Sequence, residues 1–277
     1  MPELPEVETI RNDLLPLVVG RSFAGVTVVD PTAVQYSTAT ALRRRLVGRT
    51  VTALGRRGKY LIFQLDDGEA LIVHLRMTGI LLFVATGSRP VEMLKAARER
   101  VIFKLDDGSK LAFVDRRRLG VIRLVQHQDE VVGRLGPEPL DGAFTPELLA
   151  RILAAHRASV KAVLLDQKAV AGIGNMYADE VLFQSGIHPL TPANELTYER
   201  IERLHGAICS VLSAAIVDKG ASVDTYFRPG GHPGTAHHSF KVAHRRDESC
   251  PVCNTTIRRI SVRGRGTFFC SRCQPSP

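Results

Sequence analysis

Four of the five cysteines fall in the last 28 residues as two Cys-x2-Cys pairs, Cys250/Cys253 and Cys270/Cys273, separated by 16 residues. Each pair sets two sulfurs on one side of a turn, and two such turns complete a tetrahedron, so the spacing predicts a ribbon holding one structural Zn2+. Because all four ligands are thiolates, no coordination position is left for water, and the ion supports the fold rather than doing chemistry. Cysteines arranged this way suit metal ligation in a reducing compartment better than a disulfide framework. Cys209 stands apart and is expected as a helix core residue. Between the pairs lie Arg258, Arg259, Arg263 and Arg265, with Gly264 and Gly266 interleaved. Cations on a turn tip held by a metal are suited to gripping phosphates; a solvated basic hairpin is the alternative.

The chain of 277 residues is long enough for two domains. Its 37 Lys plus Arg against 28 Asp plus Glu leave a formal charge of +9, which favours a polyanionic partner such as nucleic acid. No stretch approaches the run of about 18 apolar residues that a membrane helix needs. The acidic start lacks the basic and apolar regions of a secretory signal. The expectation is a cytoplasmic protein without a membrane partner.

The first half contains an internal echo: LIFQLDDG from Leu61 recurs as VIFKLDDG from Val101, each followed by a second apolar run. Both read as β-hairpins with Asp-Gly at a reversal that needs positive φ. With further strand-like segments at Gly25 to Val29 and Gly79 to Val84, they predict a β-sandwich carrying an N-terminal helix. That helix aligns Val7, Ile10, Leu14 and Val18, should stop at Gly20, and should be bent or ended early by Pro16. Gly136-Pro137-Glu138-Pro139 marks a hinge, after which the period becomes helical. Thr145 is a cap, and a long helix from about Tyr198 to Lys219 aligns Ile201, Leu204, Ile208, Leu212 and Ala215. The glycine-rich AGIGN turn delivers Asn175 to a helix start whose N–H groups can hold a phosphate; a tight interhelical turn explains the same residues.

Pro2, Glu3 and Glu6 crowd the amino terminus. A helix start favours acidic residues and an early proline, so a capped helix accounts for them without any chemistry.

Taken in order, PELPEVET, RRGKYL, HLRMTG, DRRRLG, LGPEPL, GIGNMYADEVLFQSGIHP and the four-cysteine ribbon give the chain a close resemblance, over nearly its whole length, to bacterial formamidopyrimidine-DNA glycosylases. The resemblance implies an α+β, two-domain fold: an N-terminal β-sandwich with a catalytic N-terminal helix, and a C-terminal helix-two-turns-helix domain with a four-cysteine zinc finger. The expected extents are 1–133 for the sandwich, 134–240 for the helices and 241–277 for the zinc-finger hairpin, with DNA in the cleft between the lobes. The implied activity is excision of oxidised purines (8-oxoguanine, formamidopyrimidines) from damaged double-stranded DNA, followed by β,δ-elimination at the abasic site, by a nucleoid-associated monomer.

In that scheme Pro2, exposed by removal of Met1, is the nucleophile, and its secondary amine gives an iminium that cannot lose an N–H proton. Glu3 is the general acid on the sugar ring oxygen, and Glu6 positions the amine or a water. Lys59, His74, Asn175 and Arg265 match the family's phosphate contacts. Met77, Arg117 and Leu119 match the residues that fill the hole left by an everted base. Leu119 departs from the family's phenylalanine, which removes aromatic stacking beside the estranged base. Residues 230–246 depart as well, at Thr235, Ala236, Ala243 and His244, and with Ala221 to Tyr226 in the lesion loop this puts lesion preference in doubt. His232, His237, His238 and His244 lack a ligand spacing that would suggest a second metal. Two other functions stay open: an endonuclease VIII-like activity on oxidised pyrimidines, and a non-catalytic protein that binds damaged or abasic DNA.

Overall fold

The computed structural model describes residues 1–88 and 98–277. The chain forms two compact units, one comprising Met1–Arg134 with Asp218–His237, the other Leu135–Val217 with His238–Pro277.

The repeated apolar octapeptides of the first unit form strands. Hairpin β4–β5 spans Tyr60–Leu65 and Ala70–His74, and hairpin β7–β8 spans Glu99–Leu105 and Lys110–Asp115. Only the glycine of each Asp-Asp-Gly enters the left-handed region, Gly68 at φ 85° and Gly108 at φ 83°. The Gly68 N–H bonds to the Leu65 carbonyl at 3.1 Å, and the Leu65 N–H to the Glu69 carbonyl at 2.9 Å. Each reversal is therefore a type I turn closed by a left-handed glycine, a three-residue loop rather than a two-residue one.

β7 and β8 pair with β1 (Phe23–Val28) and β6 (Gly79–Val84) in the order β1-β7-β8-β6. The second sheet has the order β2-β9-β5-β4-β3, with β2 at Val34–Gln35, β3 at Val51–Arg57 and β9 at Val121–Val125. One core joins them: Phe23, Phe103 and Phe113 of the first sheet cluster with Phe63, Leu71 and Ile122 of the second.

The helix Leu4–Val18 closes that core with Val7, Ile10, Leu14 and Val18. Pro16 does not end it early: the helix runs on to Val18. Pro16 lies in the last turn, where it removes only one donor, and burial of Val18 favours the final residues.

Residues 218–237, grouped by sequence with the helices, pack in the first unit. Tyr226 lies in its core. The Arg228 guanidinium grips Asp13 through two hydrogen bonds of 2.7 and 3.0 Å, and the Phe83 N–H reaches the Pro229 carbonyl at 2.9 Å. These partners are all distant in sequence, which hides the segment from any periodic reading.

The second unit packs the helices Pro146–Ala154, Val160–Leu164, Asn175–Gln184 and Tyr198–Val217. Thr145 caps the first of these, its hydroxyl accepting the Leu148 N–H at 3.3 Å. The longest buries Ile201, Leu204, Ile208, Leu212 and Ala215 as its period requires, while Cys209, expected in the core, is half-buried.

The ribbon strands β10 (Ile257–Val262) and β11 (Arg265–Cys270) are joined by Arg263 and Gly264, both at positive φ (47° and 72°) as a type I′ turn demands. The ribbon belongs to this unit rather than standing as a third body. Phe183 packs among Val242, Cys250, Ile257 and Cys270, and the buried Glu180 carboxylate accepts N–H groups from Lys241, Val242 and Ala243 at 2.8 to 2.9 Å. Among the described residues no helix is long and apolar enough to cross a membrane.

The N-terminal helix is held by its apolar face. Ile10→Ala should lower the unfolding free energy by about 2–5 kcal/mol in chemical denaturation. A loss below about 1 kcal/mol would show that the site collapses around the missing side chain and that the helix does not depend on this face.

Candidate functional site

The first unit buries two carboxylates at the start of its first helix. Glu3 is the N-cap, and it forms a reciprocal capping box with Glu6. Glu6 is fully buried, Glu3 is 1% exposed, and Pro2 beside them is buried too. One Glu6 oxygen accepts the Glu3 N–H at 2.7 Å, and the other accepts the Ala221 N–H at 2.8 Å. Gly220 precedes that amide at φ 76°, and a Cβ there would come within 2.9 Å of the Glu6 side chain. Both the backbone angle and the close approach call for glycine. The carboxylate pair is thus held by main-chain donors from two segments, which offsets the cost of burying it.

Lys59 occupies the β3–β4 turn behind Gly58 (φ 55°) and is 6% exposed. Its neighbour Tyr60 pairs with His74 across the β4–β5 ladder and meets the imidazole edge-on at 4.4 Å. The Arg76 N–H donates to His74 Nδ1 at 3.0 Å, which places the ring proton on Nε2. Burial, assisted by Arg76, Lys59 and Arg123, holds the His74 pKa down at about 3. The ring is a neutral donor among cations, a combination suited to a phosphate oxygen.

Met77, 41% exposed, tips the β5–β6 connection, while Arg117 and Leu119 project from the β8–β9 connection, Leu119 being 40% exposed. The buried Asp115 ties the two together. Its carboxylate accepts the Thr78 hydroxyl and the N–H groups of Arg117, Leu119 and Gly120, the last three at 3.0, 2.7 and 2.6 Å.

In the second unit Asn175 is the first residue of its helix and donates through Nδ2 to the Gly266 carbonyl at 2.8 Å. It thereby meets the hairpin that carries the exposed Arg265, while its buried Oδ1 has no hydrogen-bond partner.

Sequence reading missed Lys161. Its fully buried ammonium bonds to Asp179 at 2.6 Å and to the Thr267 hydroxyl at 2.7 Å, joining two helices to β11. Burial pushes the Asp179 carboxyl up to about 7, against the pull of Lys161 and the Phe268 N–H. A lone lysine inside the apolar run Val160–Leu164 was the available signal.

The sulfurs of Cys250, Cys253, Cys270 and Cys273 lie within 4.8 Å of one another, with separations of 3.8, 3.4 and 3.5 Å for 250–273, 253–270 and 253–273. A tetrahedron with Zn–S bonds of about 2.3 Å has edges of about 3.8 Å. Four thiolates this close repel one another, and a divalent cation at their centre offsets that repulsion. The donor set fits one structural zinc ion.

Three family models cover most of the chain. The formamidopyrimidine-DNA glycosylase N-terminal domain matches residues 1–122, the corresponding H2TH domain matches 135–226, and the zinc finger found in FPG and IleRS matches 247–275. The formamidopyrimidine-DNA glycosylase of Symbiobacterium thermophilum is 42% identical, over 100% of this chain and 90% of that one. That of Geobacillus kaustophilus is 43% identical over 99% of this chain and 100% of its own length. Among solved structures, the Lactococcus lactis Fpg bound to DNA containing an abasic site superposes with a TM-score of 0.89 at 34% identity, covering 99% of this chain and 100% of the other. A complex of the same Lactococcus lactis protein with Fapy-dG-containing DNA gives 0.88 at 33%, with the same coverage.

The depressed pKa of His74 has a definite sign. The unfolded chain takes up a proton near pH 6.5 that the folded chain refuses until about pH 3, so this group withdraws stability as pH falls through that window. Nitrogen NMR of the imidazole should show a single neutral tautomer, protonated at Nε2, throughout the window from pH 5 to 8. A titration midpoint near 6.5 would contradict the buried geometry.

Proposed function

Because the chain belongs to the formamidopyrimidine-DNA glycosylase family, we propose that it excises oxidised purines from double-stranded DNA and then cleaves the strand through a covalent intermediate at Pro2. The observation that carries this reading is the pair of buried carboxylates, Glu3 and Glu6, fixed around residue 2. A capping function alone could be met at the surface, whereas here both acids are buried within four positions of the nitrogen that becomes a free secondary amine once Met1 is removed.

In the proposed reaction the Pro2 lone pair attacks C1′ of the damaged nucleotide, and the glycosidic bond breaks with its electron pair leaving on the base. The proline N–H proton, acidified by the attack, passes to the departing base, and Glu3 gives its own proton to the ring oxygen as the sugar opens, so the freed nitrogen lone pair closes an iminium with C1′. That iminium acidifies the C2′ hydrogen; its loss expels the 3′-phosphate, and a second elimination expels the 5′-phosphate. Glu6, held on both oxygens, fixes the main chain that carries the amine. Lys59, His74 and Arg117 supply backbone contacts from the first unit, and Asn175 and Arg265 supply them from the second. The zinc holds the hairpin that presents Arg265. Met77, Arg117 and Leu119 occupy the space of the everted base. With the aliphatic Leu119 in that set, discrimination of the opposite base rests on shape and on Arg117 rather than on aromatic stacking.

A chain carrying an uncleaved extension, which leaves the Pro2 nitrogen in an amide, should form no borohydride-trapped adduct with an abasic duplex, while binding a tetrahydrofuran-containing duplex within about tenfold of the free form. An undiminished adduct would move the nucleophile to a lysine. Duplexes carrying single 8-oxoguanine, formamidopyrimidine, thymine glycol or dihydrouracil test the lesion class. Faster release of the last two would replace purine excision with pyrimidine excision.

A further inference from the structure

We infer that Asp115 is the positioning residue for base eversion: its carboxylate sets Met77, Arg117 and Leu119 as one rigid wedge. This rests on the proposed function, and it adds a residue to which that reading gives no role.

The placement is unusual for a carboxylate. Asp115 ends β8, where it pairs with Gly79 at the base of β6, and its side chain is fully buried. All four of its hydrogen-bond donors belong to the two connections that carry the wedge. The Thr78 hydroxyl and the Arg117 N–H meet one oxygen, and the Leu119 and Gly120 N–H groups meet the other. Thr78 follows Met77 directly, while Arg117 and Leu119 themselves supply two of the amides. The ladder between β6 and β8 is already paired along its length without these bonds. What the carboxylate adds is a fixed relation between two loop tips.

The surrounding structure points the same way. Gly120 sits so close to the core that a Cβ would come within 2.6 Å of the Phe113 ring. Arg118 turns through φ 60°, and its guanidinium bonds inward to Asp30 at 2.7 Å. Asp30 also holds Arg100 at 3.0 Å, and Arg100 donates to the Asp115 carbonyl at 2.7 Å. Of the three consecutive arginines, the last, Arg118, is thus spent on anchoring, and Arg117 is left exposed. From a third segment, the Thr225 hydroxyl donates to the Met77 carbonyl at 3.1 Å. A wedge that must part stacked bases transmits force only if its tips cannot yield, and a loop held by one buried anion meets that demand.

Asp115→Asn tests the assignment, because both oxygens face donors and an amide NH2 in either orientation opposes N–H groups. With 2-aminopurine beside an 8-oxoguanine in duplex DNA, stopped-flow fluorescence should show the unstacking phase slowed about tenfold. Borohydride trapping on a single-stranded abasic oligonucleotide, which has no pair to part, should keep its wild-type rate. In a Met77→Ala, Arg117→Ala, Leu119→Ala background the Asn substitution should add no further slowing.

Unstacking at the wild-type rate, an equal loss on single and double strands, or additivity in that background would each overturn the assignment. Should Asp115→Asn fail to fold, Thr78→Val, which removes one donor and keeps the shape, must slow unstacking in the same selective way. A wild-type protein that traps no abasic DNA would defeat the proposed chemistry, and the unstacking measurement would still decide the role of Asp115.

Discussion

The rest of the structure depends on a carboxylate that has no contact with water. Glu6 lies inside the first unit, with one oxygen on the Glu3 N–H and the other on the Ala221 N–H, residues more than two hundred positions apart in the chain. A buried anion left without donors would be prohibitive, so these two amides must be present whenever the helix is docked. The arrangement fixes the amino terminus and segment 218–237 at once. Tyr226 in the core, the Arg228–Asp13 pair and the glycine at 220 all serve the same closure. An N-terminal segment that would otherwise fray becomes a rigid support for the residue it begins with.

The second unit uses the same device. Lys161, fully buried, is held by Asp179 and Thr267, and Glu180 accepts three consecutive amides ahead of the ribbon. Breaking a pair of this kind on one side is costly, about 3–5 kcal/mol, because the other charge stays behind. Together with the zinc ion these contacts leave the Arg265 hairpin little freedom. In both units, a surface group to which the proposed function gives a DNA contact is backed by a buried charge held by its neighbours.

Much of this was legible in the sequence where the signal is local. The Cys-x2-Cys spacing gave the ribbon, the repeated apolar octapeptides gave the two hairpins, and the period of Ile201, Leu204, Ile208 and Leu212 gave the longest helix. Pro16 misled, because its cost depends on how near the helix end it falls. Residues 218–237 read from sequence as part of the helical region, since nothing in their own pattern announces that Tyr226 and Arg228 find partners on the first helix and in the core of the β-sandwich unit. DRRRLG shows three arginines alike, and only the position of Asp30 tells which one turns inward. Asp115 heads the DRRRLG motif and Lys161 interrupts an apolar run, but neither pattern states its role; that lies in donors and acceptors brought from elsewhere. Of the candidate site, the sequence singled out the side chains to which the proposed reaction gives a role, Glu6 among them, and missed Asp115, Lys161 and Glu180, whose burial and partners appear only in the fold.

The proposed chemistry turns on a proline nitrogen, in the helix start capped by Glu3 and Glu6, that bonds to deoxyribose. Peptide mapping by mass spectrometry of the borohydride-reduced conjugate with abasic DNA tests it most directly. The sugar remnant should lie on the peptide that begins at Pro2, attached to its nitrogen. A remnant on Lys59, Lys161 or any other side chain would contradict it, whatever the fold.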